Sequence, residues 1–224
     1  MSRTLTSSIG KKVIMSLAGL FLVVFLVVHL SINLSLILAD SRETFNKAAH
    51  FMGNNIVVRV LEIILFGGFL LHITYGLILQ VQNWMARGPV RYRRENFSNT
   101  SFFSKFMIHT AVIISVFLVI HLFDFYLKAK LFGEVPSVIY DGKDYHDLGI
   151  LVIEKFKIGW VVVFYLGCFV ILAFHLLHGF QSAFQTLGLN HRVYSPVIKA
   201  LGIIYTVVIV GGFMSIPIYI YFRM

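Results

Sequence analysis

The chain has 224 residues, 58% of them hydrophobic and 13% charged, with a formal net charge of +9 and a mean hydropathy of +0.84. A soluble domain carries about 25% charged residues, so this composition excludes an ordinary water-soluble fold and predicts an all-α polytopic membrane protein, one membrane domain over residues 1–224. The single cysteine, Cys168, excludes a disulfide framework and any iron–sulfur cluster held by this chain alone, while the basic residues sit in short loops, which reports topology and not nucleic acid.

Five apolar runs of membrane-spanning length follow one another, at about residues 13–39, 56–84, 102–127, 156–184 and 197–222. Lys11 and Lys12 precede the first run, which is too long for a signal-peptide core and lacks a small-residue cleavage site, so it is expected to stay as a span. Gly88-Pro89 ends the second run, Ser195-Pro196 opens the fifth, and Pro217 is expected to bend its last turns. A membrane barrel would instead show alternating segments of about ten residues.

Five spans put the termini on opposite sides of the membrane. The loop between the second and third runs holds Arg87, Arg91, Arg93, Arg94 and Lys105, and most of the acidic residues fall on the other side. By the positive-inside rule the N-terminus is expected to be cytoplasmic. The stretch from about Lys128 to Lys155 then lies outside. Its Asp141, Asp144, His146 and Asp147 show no metal-ligand spacing, and a solvated loop is expected.

Histidine is the unusual residue of the apolar runs. His29, His72, His121, His175 and His178 all lie deep, spread over the first four. An imidazole at membrane depth is costly and faces the bundle interior with a partner. One alone reads best as a ring bonded to a neighbouring helix; four runs each carrying at least one favours a shared ligand. With a rise of about 1.5 Å per residue, His72 and His175 lie roughly 15–18 Å from the N-terminal side, and His29 and His121 roughly 25–28 Å. Depth thus predicts an inner pair, His72 with His175, and an outer pair, His29 with His121, about 10 Å apart along the bundle. His178 lies one turn from His175 and is the alternative mate of His72. Gly68 and Gly76 flank His72 on one helix face, and Gly179 follows His175 at i+4; small residues there admit either a flat macrocycle or a close neighbouring helix. Bis-histidine haem binding by a bundle of the first four helices accounts for the whole pattern. Zinc does not, since neither HExxH nor a thiolate group is present.

These residues give a family likeness over nearly the whole chain. Phe25-Leu-Val-Val-His29-Leu, Phe45-Asn-Lys-Ala-Ala-His50-Phe-Met, Leu61-Glu62-Ile, Leu71-His72-Ile-Thr-Tyr75-Gly76, Val119-Ile-His121-Leu and Phe174-His175-Leu-Leu-His178-Gly179-Phe occur in this order. The chain resembles the five-helix, dihaem cytochrome b membrane anchor of succinate dehydrogenase and fumarate reductase, most of all the single-subunit, menaquinone-type form. The resemblance implies two haem b groups, one on His29 and His121 and one on His72 and His175. It also implies a flavoprotein (FAD) subunit, an iron–sulfur subunit docked on the cytoplasmic side, and a bacterial cytoplasmic membrane. The anchor itself would do no dicarboxylate chemistry; it would carry electrons to membrane quinone, or from quinol when fumarate is reduced. Members that move protons across the membrane carry a glutamate two residues before the fourth ligand; Ala173 stands there, so that pathway is not implied.

A quinone needs an apolar cleft and a proton-exchanging group. Glu62, with Arg59 and Asp124 nearby in depth, is the candidate, against an ordinary Arg59–Glu62 ion pair at i, i+3. Ser16, Lys105 and His109 offer an inner alternative, and His50 a donor or a plain surface residue. A proton-coupled transporter using buried histidines is the competing function. It would be expected to show inverted repeats and paired broken helices, which the sequence lacks.

Overall fold

A computed structural model describes residues 7–38, 42–87 and 106–224. In chain order the elements are α1 (Ser8–Leu38), α2 (Arg42–Asn54), α3 (Ile56–Arg87) and α4 (Met107–His121), the last continued without a break as a π-helix over Leu122–Phe132. A two-stranded antiparallel hairpin follows, β1 (Ser137–Tyr140) on β2 (Lys143–His146), then α5 (Leu148–Phe156), α6 (Gly159–Thr186) and α7 (Tyr194–Arg223). Helices α1, α3, α4 with its π extension, α6 and α7 are each long and apolar enough to cross a membrane. The chain is an all-α, multi-pass membrane protein with one small hairpin outside its spans.

Local chemistry explains where the helices begin. The Ser7 hydroxyl accepts from the Gly10 amide at 3.1 Å, so α1 starts ahead of the predicted residue 13. Asn55 caps α3 by accepting from the amides of Val57 and Val58 at 2.9 and 3.3 Å. Helix α7 runs continuously through Pro217, which is buried among its neighbours.

Two regions depart from expectation. Residues 42–54, given no structure of their own, form α2, and the predicted solvated loop of 128–155 is folded into the π-helical extension, the hairpin and α5. The reason is a buried polar knot that joins them. Asn46 is fully buried, donates to Asp147 Oδ1 at 2.8 Å and accepts from the Gly149 amide at 2.8 Å. Asp147 also receives Arg42 at 2.7 Å and caps α5 through the Ile150 amide. Hydrogen-bonded partners this far apart in sequence leave no periodic signal.

Helix α1 packs against α3, α6 and α7, and α6 packs against α4 and α7, whereas α3 and α4 touch only slightly. The densest core lies between α1, α5, α6 and α7, where Leu36, Val161, Tyr165 and Ile220 are at most 1% exposed. Tyr205 on α7 donates to the Val23 carbonyl on α1 at 2.6 Å. By contrast α3 turns Ile63, Ile64 and Leu70 outward, an apolar surface suited to lipid.

Candidate functional site

Histidines from four different spans meet in two layers. His72 of α3 and His175 of α6 have ring centroids 6.3 Å apart, and His29 of α1 and His121 of α4 have theirs 5.8 Å apart. The vertical order can be read from contacts. His72 lies beside Met15 and Gly19 of α1, fourteen and ten residues before His29; His121 touches Tyr165 of α6, ten residues before His175. Ten residues of helix are about 15 Å long. The two layers are thus stacked along the bundle, with His72 and His175 on the side where α1 begins.

In the inner layer the tautomers follow from the partners. His72 Nδ1 lies 3.3 Å from the Met15 carbonyl, which can only accept, so this nitrogen carries the proton. The Thr110 hydroxyl of α4 spends its one proton on the Met107 carbonyl at 2.8 Å and offers its lone pair to His175 Nδ1 at 3.3 Å. Both rings are therefore held as Nδ1–H, with Nε2 left as the basic nitrogen. Metal-ligating histidines are oriented in this way, through a hydrogen bond from the other ring nitrogen. His178 makes no ring contact with His72 among the described residues; the structure brings His175, not His178, to that position.

The outer layer is more apolar. His29 stacks on Phe25 at 5.2 Å, and His121 sits among Phe117, Phe125 and Tyr165. His121 Nδ1 is buried with no hydrogen-bond partner among the described residues. A buried orphan nitrogen costs about 1–3 kcal/mol, which only a group bound at Nδ1 itself would offset.

These residues fit a bis-histidine metal site on three counts. Two imidazoles bound to opposite faces of one metal, each through an N–metal bond of about 2 Å, hold their ring centres about 6 Å apart. The separations of 6.3 and 5.8 Å match that span. The hydrogen bonds of the inner pair leave Nε2 of both rings free to bind a metal, and the outer pair contains a buried nitrogen without a hydrogen-bond partner among the described residues.

The glycines divide differently from the sequence reading. A Cβ on Gly68 would lie 3.1 Å from the Phe21 ring, and one on Gly76 4.0 Å from Met15 Sδ, so both admit side chains of α1. Gly179 faces Met107 across 3.6 Å. These three serve helix contact. The glycine that makes room at the site is Gly19, where a Cβ would stand 3.1 Å from His72 Cε1. It was missed because it lies on another helix, in a run with no polar marker.

Near the outer layer, Glu62 of α3 accepts from the Tyr126 hydroxyl and, at 3.1 Å, from Lys130, both on the π-helical segment. The anticipated Arg59–Glu62 ion pair is not formed: Arg59 Nε donates to the Gly53 carbonyl at 3.0 Å. Asp124 is turned the other way, is buried, and accepts from Lys155 at 2.6 Å and from Tyr165 at 3.2 Å. The structure thus separates Asp124 from Glu62, leaves Arg59 near Glu62 without a direct bond, and sets Tyr126 and Lys130 on the Glu62 carboxylate. His50 is exposed and packs on Tyr145 at 4.9 Å. Of the inner alternative, Ser16 is buried and His109 is exposed beside Phe106, while Lys105 lies outside the described residues, as do Arg91, Arg93 and Arg94.

Comparison with protein-family models, curated proteins and solved structures finds no match.

Proposed function

We propose that this chain is the membrane-anchor cytochrome b subunit of a succinate:quinone oxidoreductase, carrying two b haems between a partner iron–sulfur subunit and membrane quinone. The observation that carries the reading is the pair of histidine layers, four imidazoles from four spans with ring centroids 5.8 and 6.3 Å apart within each pair. His72 and His175 would hold the inner haem, and His29 and His121 the outer one. Haem b supplies reversible one-electron chemistry at a potential set by its ligands, its burial and the hydrogen bonds around it.

The chain's own residues have definite tasks in this reading. Met15 and Thr110 fix the inner rings and raise the basicity of Nε2 through the Nδ1–H bonds they accept. The phenyl rings of Phe25, Phe117 and Phe125 keep water from the outer rings. Glu62, half-buried and bonded to Tyr126 and Lys130, is the proton-exchanging group on which a quinone would draw. The protein would sit in a bacterial cytoplasmic membrane with its N-terminus on the cytoplasmic side, where the iron–sulfur and flavoprotein subunits would dock. The reverse direction, quinol to fumarate, uses the same residues.

The test is a reduced-minus-oxidised absorption spectrum of membranes containing the chain. Two b-type haem bands with distinct midpoint potentials are expected. Absence of b-type absorption overturns the reading.

A further inference from the structure

At the end of the bundle that carries the N-terminus, the turn from α6 to α7 forms an open groove of about 530 Å³ lined by Gln181, His191, Arg192, Ser195 and Lys199. We propose that this groove binds the phosphate headgroup of an anionic phospholipid, with the acyl chain lying along Val197, Leu201 and Ile204 of α7. The inference does not depend on haem binding.

Charge points to the ligand. Arg192 and Lys199 are exposed and make no ion pair among the described residues. The described acids lie at the other end of the spans or in the structure beyond it, from α2 and the outer ends of α3 and α4 to the hairpin and α5, so no described acid on this side neutralises the groove. Basic pockets between membrane helices on this kind of face hold lipid headgroups.

Local order supports a formed site. The His191 amide donates to Ser195 Oγ at 3.1 Å, and Ser195 Oγ donates to Asn190 at 3.2 Å. His191 Nδ1 accepts from the Val193 amide at 3.2 Å, so the neutral ring carries its proton on Nε2, as a donor. The fold of the turn thus sets one donor, His191 Nε2, beside Arg192 and Lys199.

The apolar flank distinguishes a lipid from a free anion. Val197, Leu201 and Ile204 are 55%, 54% and 60% exposed and follow one another at i, i+4 and i+7, a single stripe running from the groove into the membrane. Tyr194, 58% exposed at its start, is a residue enriched at the headgroup level.

The test uses the full chain purified in mild detergent, with phosphatidylglycerol or phosphatidylcholine titrated in and bound lipid counted by native mass spectrometry. Preferential retention of phosphatidylglycerol is expected. Each cation near a membrane surface contributes roughly a factor of five, so Arg192→Gln with Lys199→Gln should weaken that preference about 30-fold. The charge-conserving Arg192→Lys with Lys199→Arg should keep it, as should Lys11→Gln with Lys12→Gln at the same end. An unchanged preference in the first variant, or an equal loss in the Lys11 and Lys12 variant, overturns the site. Displacement by inorganic phosphate at the lipid's own concentration overturns the acyl contact. Loss of a co-purifying protein from the first variant, with lipid preference intact, overturns it in favour of a protein contact.

Discussion

The Thr110 hydroxyl of α4 accepts from Nδ1 of His175 on α6, because its own proton is committed to the Met107 carbonyl. The bond fixes one tautomer and one orientation of a ring that would otherwise rotate in an apolar setting. Thr110→Val keeps the shape and removes the acceptor. Loss of such a partner costs 10–100-fold in metal affinity. On the proposed dihaem reading, the variant should retain the outer haem through purification and lose part of the inner one, measured as haem per chain, and Thr110→Ser should restore it.

The two fourth-span histidines make a sharper test. His175 meets His72 and His178 does not. His175→Ala should abolish the proposed inner b-haem signal while leaving the outer one, and His178→Ala should leave both, as read from the difference spectrum and a redox titration. The opposite result would reverse the ligand assignment while leaving the cytochrome reading intact.

Asp124 and Lys155 are joined at 2.6 Å, with side chains 10% and 26% exposed. Removing one partner from a buried pair costs about 3–5 kcal/mol, mainly through the charge left stranded. Lys155→Met strands the deeper group, a carboxylate left with the Tyr165 hydroxyl alone. Asp124→Ala strands an amine near the outer rim, which can turn to water. Lys155→Met should therefore be the more damaging, and adding Asp124→Asn to it should recover stability, measured by thermal unfolding in detergent.

Much of the site was legible in the sequence because membrane depth is a one-dimensional quantity. Residue number along an apolar run gives height, and height was enough to pair His29 with His121 and His72 with His175. Helix tilt and the offset between neighbouring spans do not appear in a residue count. Rotation about each helix axis was equally hidden. Glu62 could not be assigned to Tyr126 and Lys130 without knowing the phase of the π-helical segment, which shifts the faces of α4 after His121. Helix α2 was missed for another reason: its burial rests on Asn46, a polar residue that no hydrophobic pattern marks.

That knot gives a comparison between neighbours in sequence. Asn46→Ala leaves the Gly149 amide and Asp147 short of partners in a buried place, at a cost of about 3 kcal/mol. Lys47 bonds Asp141 and Glu43 on the surface, and these carboxylates raise its pKa while its hydrogen bond holds the Asp141 carboxyl below its ordinary value. The Asp141 contribution is complete above the ordinary carboxylate range and fades as pH falls through the depressed value; the Lys47 contribution is complete below the ordinary lysine range and fades as pH rises through the raised one. Exposed pairs contribute little, so Lys47→Met should leave the melting temperature unchanged at neutral pH. Asn46→Ala should lower it.

Gly19 ties packing to the proposed haem site most directly. An added methyl there would lie 3.1 Å from His72 Cε1 and 3.3 Å from Nδ1, close enough that the imidazole has to move by a few tenths of an ångström. Movement in that direction lengthens the bond from Nδ1 to Met15, already 3.3 Å, and turns the ring off the line to His175. Gly67, on the same helix as His72, has nothing within 4 Å of an added methyl. Gly19→Ala should therefore shift the midpoint potential or occupancy of the inner haem and leave the outer haem untouched, while Gly67→Ala should alter neither. Equal behaviour of the two variants would mean that the contact between Gly19 and His72 has no part in holding the ring.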